Sequence, residues 1–215
     1  MKRTPRRNKM RQAAQIFLNG LLFKNPVLIG ALGLFPVVAA GYSLQNGLAL
    51  SILMLVIMVP VCMISCWIGT RIRSWLRPAI VLLLCAVFYI PAAWIALRMF
   101  PETEVALTVY GSLMVCNSAI LSRANDYAPR HVGFAVFADS VGCAVGFGVV
   151  ICIFSAVREF LAYGTVGGVI MPLPSFPRSP AALPFYGLIL LGFCAALVQW
   201  ITLRADKKKG RVKRG

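Results

Sequence analysis

The sequence predicts an all-α, polytopic membrane protein of six transmembrane helices, arranged as two inverted three-helix repeats with helices one and four broken into half-helices. Three observations carry that expectation. The 215 residues are 60% hydrophobic and only 13% charged, with just six acids, against about half and about a quarter in soluble domains. The charge is segregated. Lys2, Arg3, Arg6, Arg7, Lys9 and Arg11 crowd one end, and Arg204, Lys207, Lys208, Lys209, Arg211, Lys213 and Arg214 the other. Long apolar runs separate them, and two of these runs are short and interrupted at equivalent places in the two halves.

A span needs roughly 20 apolar residues to cross about 30 Å of hydrocarbon. On that rule spans are expected at about 26–43, 47–69, 79–99, 104–122, 133–157 and 183–203. They form one membrane domain over 16–203, divided into repeats 16–100 and 101–203, between basic tails 1–15 and 204–215. The basic N-terminal stretch is not read as a cleaved signal, because no short apolar core ends in a small-residue cleavage site. Three spans per half is an odd number, so the second half inserts upside down relative to the first. The net charge of +16 suits either nucleic-acid binding or retention of basic loops on the cytoplasmic side. The loops decide: with the N-terminus inside, Arg71, Arg73, Arg77, Arg123, Arg130 and the C-terminal tail all fall inside. The outer loops hold Glu102, Glu104, Arg158, Glu159 and Arg178. Both termini are therefore expected in the cytoplasm, with the tails against anionic lipid and no nucleic-acid partner.

The two broken segments carry the functional expectation. Span one reads Gly30-Ala31-Leu32-Gly33-Leu34-Phe35-Pro36, and Pro36 removes a backbone donor. Span four reads Met114-Val115-Cys116-Asn117-Ser118, where Asn117 and Ser118 can bond backbone groups freed by a break. Paired breaks in an inverted repeat point to a midplane site; two merely kinked helices are the alternative. Asp139 is the only carboxylate well inside a span. It is either part of an ion or proton path or a near-interface acid, about six residues or roughly 9 Å into span five, held by backbone, Arg123 or Arg130. Gly142, Gly146 and Gly148 suit close helix contact.

Little else has ligand character. Cys62, Cys66, Cys85, Cys116, Cys143, Cys152 and Cys194 lie in apolar spans and suit packing, not a disulfide framework or a metal. His131 is expected as a solvated loop residue. The connection from Arg158 to Ala182 is rich in glycine and proline and is expected to be irregular.

In order along the chain, Asn25-Pro26 with Gly33-Leu34-Phe35-Pro36 resembles N-P…G-L-C-P, and Asn46-Gly47-Leu48-Ala49 follows at matching spacing. Val115-Cys116-Asn117-Ser118 resembles V-T-N-C, Ser122-Arg123-Ala124 resembles G-R-A, and Arg158-Glu159 with Gly164-Thr165 resembles R-E…G-T. These are motifs of the membrane subunits RnfA, RnfE, NqrD and NqrE of ion-translocating Rnf complexes and Na⁺-translocating NADH:quinone reductases. The chain looks closest to the RnfE/NqrD branch, in which an aspartate also occupies the Asp139 position. The resemblance implies a bacterial inner-membrane subunit paired with a homologous inverted subunit and with other Rnf/Nqr-type subunits. In that family each partner gives two cysteines to a shared 2Fe-2S cluster, an arrangement that four thiolates can hold.

Here Phe35 and Ser118 stand at the two cysteine positions. Phenylalanine cannot ligate iron and a hydroxyl is a poor stand-in for thiolate. Cys116 is two residues away, about 200° round a helix, and could substitute only if the backbone unwinds. No cofactor is therefore expected on this chain. The expected function is that of a divergent subunit of an electron-transport translocase, non-catalytic alone, acting as scaffold and ion path. The alternatives are a stand-alone transporter of ions or small solutes built on the same inverted repeat, and a purely structural or assembly protein.

Overall fold

A computed structural model describes residues 37–38, 41–69, 71–170, 185–193, 196 and 200. It is almost wholly helical. Helix α1 (Leu44–Ile68) is followed by α2 (Arg77–Met99). A broken run comes next: a 3-10 turn at Pro101–Thr103, α3 (Glu104–Tyr110), a 3-10 turn at Gly111–Met114 and α4 (Ser118–Ser122). The run ends in a π-turn at Arg123–Tyr127 and a 3-10 turn at Ala128–Arg130. Helix α5 (Gly133–Tyr163) leads into a hairpin of β1 (Thr165–Val166) and β2 (Val169–Ile170). The described residues 185–193 are helical.

Among the described residues, four segments are long and apolar enough to cross a membrane: Leu44–Ile68, Arg77–Met99, Pro101–Arg130 and Gly133–Tyr163. They overlie the expected spans two to five. Expected span one lies mostly outside the described residues, as do Gly33, Phe35 and Pro36. Of span six, only 185–193, 196 and 200 are described.

α1 is the central element. Asn46, Gly47, Leu50, Leu53, Met54, Ile57, Met58, Val61 and Cys62 recur at three- and four-residue steps and are all buried. They pack against Cys143, Ala144, Phe147, Ile151 and Phe154 of α5 and Val81, Cys85, Ala92 and Ala96 of α2. Two small-residue contacts bring α1 close to α5. A Cβ on Gly47 would fall 2.7 Å from Ser155 Oγ, and one on Gly148 would fall 3.1 Å from Ser51 Cβ. Gly148, from the glycine set expected to pack, makes one of these contacts; Gly142 and Gly146 are buried. At the far end of α1, a Cβ on Gly69 would meet Pro129 at 2.7 Å, which seats the Ala128–Arg130 turn.

α5 differs from expectation. It runs six residues beyond 157 and buries Arg158 and Glu159, which hydropathy had assigned to an outer loop. The helix continues through apolar Phe160, Leu161 and Ala162 and stops at Gly164, whose φ of 69° is left-handed. The loop that follows is not wholly irregular either. Gly167 and Gly168, at φ 62° and 82°, form the two-residue turn that pairs Val166 with Val169.

Candidate functional site

The break in the third described span is built by Asn117. Its backbone is extended, at φ −67° and ψ 117°, between the Gly111–Met114 turn and α4. Its side-chain oxygen accepts the Ala119 N–H at 2.9 Å, capping α4. Its amide nitrogen points at Met114 Sδ (3.4 Å) and Met54 Sδ (4.0 Å). The residue is 2% exposed, so the polar group at the break is turned into the protein. Its neighbours Cys116 and Ser118 are both exposed on the single chain. The distance from Ser118 to Phe35 involves a residue outside those described.

Beyond α4 the π-turn aims Arg123 at α5. Arg123 Nη1 lies 3.3 Å from Asp139 Oδ2 and donates to Oδ1 at 3.4 Å. Asp139 is 6% exposed, and the Cys143 thiol, one turn along α5, faces Oδ2 at 4.0 Å. Arg123 also lies over the Tyr127 ring at 5.6 Å, and Tyr127 stacks on His131 at 3.8 Å. His131 is exposed, with Nδ1 2.9 Å from Tyr127 O. Of the partners considered for Asp139, Arg123 is in contact.

The opposite end of α5 carries a feature that hydropathy placed in a loop and that only the resemblance of Arg158-Glu159 and Gly164-Thr165 to R-E…G-T marked. Arg158 is fully buried and donates from Nη1 to Val38 O at 2.7 Å. Its guanidinium also lies over Phe154 at 5.7 Å and 3.2 Å from where a Cβ on Gly187 would sit. Glu159, 4% exposed, accepts the Leu44 N–H at 2.7 Å through Oε2. Its Oε1 accepts the Gly168 N–H at 3.1 Å and the Thr165 hydroxyl at 3.2 Å. Adjacent residues of one helix thus serve two polar groups that flank the 41–43 turn. A cation meets the carbonyl before the turn, and an anion meets the amide at the start of α1, where the helix dipole favours negative charge. The signal was available: two charges side by side beyond a long apolar run, with a helix-stopping glycine only five residues further on.

An iron–sulfur cluster needs thiolates. Ser118 offers a hydroxyl at the first position of α4, and Cys116 lies across the break from it. Among the described residues, no group of three or more His, Cys, Asp or Glu side chains is placed to hold a metal ion. The hydroxyl of Ser118 is a poor fit to such a cluster, whereas the exposed Cys116 thiol lies beside backbone that is not helical, the condition under which it could stand in.

An interrupted apolar span, a buried ion-paired acid and a buried Arg-Glu pair, set among segments long and apolar enough to cross a membrane, define a polytopic helical membrane protein. The family described as "Rnf-Nqr subunit, membrane protein" matches residues 13–202, and the chain belongs to that family. Among its relatives, the E-type subunit of the ion-translocating oxidoreductase complex of Pseudoalteromonas atlantica is 30% identical over 158 residues. That alignment covers 73% of this chain and 68% of the relative. The E-type subunit of the proton-translocating ferredoxin:NAD(+) oxidoreductase complex of Clostridium ljungdahlii is 27% identical, covering 93% and 94%. Its counterpart in the Na(+)-translocating ferredoxin:NAD(+) oxidoreductase complex of Acetobacterium woodii is 25% identical, covering 86% and 95%.

Proposed function

We propose that the chain is a divergent, E-type membrane subunit of an ion-translocating Rnf/Nqr-type electron-transport complex, serving as scaffold and ion path without cluster ligands of its own. One observation carries this reading. Family membership covers nearly the whole chain, while the positions expected to hold cysteines are Phe35 and Ser118. The relatives' names supply the complex; the side chains at the two positions argue against a redox group here.

The remaining parts fit this role. Asp139 is a buried carboxylate already matched by Arg123. Exchanging that arginine for a cation is the minimal chemistry of an ion relay. Cys116 and Ser118 are polar, exposed and near the middle of the Pro101–Arg130 span, which suits a face covered by a second subunit. In this reading the chain has six spans in two inverted repeats, both termini in the bacterial cytoplasm, and a homologous inverted subunit across from Ser118.

The test is purification of the tagged full chain from its native membrane in mild detergent, with partner identification and iron analysis. Flavin-bearing and iron–sulfur subunits are expected to co-purify, and Cys116→Ala and Ser118→Ala are each expected to leave the iron content of the intact complex unchanged. Iron lost from the complex on either change, or solute uptake by the chain alone in proteoliposomes, would overturn the assignment.

A further inference from the structure

An open groove of about 630 Å³ runs between α1 and α5 beside the last residues of α2. Its floor is the close contact of the two helices, where a Cβ on Gly148 would sit 3.1 Å from Ser51 Cβ. Leu48 and Leu55 line it from α1, and Val149 and Ile153 line it from α5; all four are exposed. Met99 and Phe100, at the end of α2, complete the wall. The lining is almost wholly apolar. Its hydroxyl, Ser51 Oγ, already donates to Gly47 O at 2.7 Å and lies 3.7 Å from Cys152 Sγ.

Segments long and apolar enough to cross a membrane bound the groove, so hydrocarbon, not water, surrounds it. Leu48 and Leu55 are nearly two turns apart, about 10 Å along α1. That length fits within one leaflet, roughly half of a 30 Å core. A packed transmembrane helix is about 10–12 Å wide and runs the whole depth. Helices in lipid also associate through small residues and polar side chains. Here the small pair, Ser51 and Gly148, is already engaged in the α1–α5 contact, and the exposed lining residues are bulky aliphatics. A single flexible chain suits this shape better than a helix.

The residues around Phe100 select the kind of lipid. Arg98 and Glu102 each lie two residues from Phe100, so within about 8 Å of it along the backbone, and Glu104 opens α3. All three are exposed, and none is in an ion pair among the described residues. Arg98 rests over the Trp94 ring at 5.4 Å, and tryptophan favours the membrane–water interface. One guanidinium suits a phosphate. Two carboxylates suit an ammonium and repel an anionic headgroup. We propose that the groove holds one acyl chain of a zwitterionic aminophospholipid, with its phosphate at Arg98 and its ammonium facing Glu102 and Glu104.

The full chain, purified in mild detergent and washed of loose lipid, is offered phosphatidylethanolamine or phosphatidylglycerol with the same acyl chains. Retained lipid is counted by mass spectrometry. The wild-type chain is expected to retain a single phosphatidylethanolamine and about tenfold less phosphatidylglycerol. Val149→Trp, which fills the groove from its exposed side, is expected to lower retention about tenfold. Val87→Trp, exposed on α2 outside the groove, is expected to leave it unchanged. Glu102→Lys with Glu104→Lys is expected to reverse the headgroup preference. No retained lipid, equal retention of the two headgroups by the wild-type chain, or unchanged retention by Val149→Trp would each overturn the proposal. In native membranes, photo-reactive p-benzoylphenylalanine in place of Ile153 is expected to couple to phospholipid. Coupling to a protein subunit would put a helix in the groove and overturn the proposal. That arm stands even if a tryptophan variant fails to fold.

Discussion

Asp139 and Asn117 were visible at the level of single residues because each is a polar group in an apolar run, where unsatisfied polarity is costly. What each one touches was not visible. Arg123 reaches Asp139 across 16 residues only because a π-turn rotates it there. Asp139→Asn leaves a largely buried guanidinium without its counter-charge. It is expected to destabilise the chain by about 3–5 kcal/mol, measured as lost yield and lowered Tm in detergent. Arg123→Met combined with Asp139→Leu is expected to recover most of that loss. If the complex-subunit reading holds, the double variant assembles yet loses ion coupling, read as ion uptake per electron in inverted vesicles. Asn117→Ala removes the α4 cap and is expected to cost about 1 kcal/mol, read as a fall in Tm. Arg158 and Glu159 were read as loop residues because charge usually marks the end of a span. Here the charges are buried because backbone groups on other segments receive them.

At the level of elements, spans two to five were legible within a few residues at most ends, since length and hydropathy fix a helix that must satisfy its own backbone in lipid. The packing between them was not. α1 is apolar nearly all the way round, and lipid gives no hydrophobic incentive to bury one side over another. The buried side is set instead by small residues, Gly47 against Ser155 and Ser51 against Gly148, which hydropathy does not register. Gly47→Ala is expected to overpack this contact at a cost of about 1–3 kcal/mol, with partial rescue by Ser155→Ala; thermal unfolding of the single and double variants measures both. The end of α5 was misjudged for a related reason, because the glycine that stops it lies beyond the charged pair. Glu159→Ala is expected to raise amide exchange at Leu44 and Gly168 about 10- to 100-fold, read by hydrogen–deuterium exchange of peptides covering those residues.

Over the whole molecule, hydropathy and charge segregation made the membrane class legible, and motifs in register made the family legible. The geometry of the first break was not, because its key residues lie outside the described part of the chain. The Arg158–Glu159 dyad has a consequence for how the protein is made. Val38 and Leu44 are synthesised more than a hundred residues before the two α5 side chains that bond them. The bend at 41–43 therefore lacks these two bonds until α5 enters the bilayer. Chains truncated after α4 should leave that bend open to protease, whereas chains extended past Thr165 should close it.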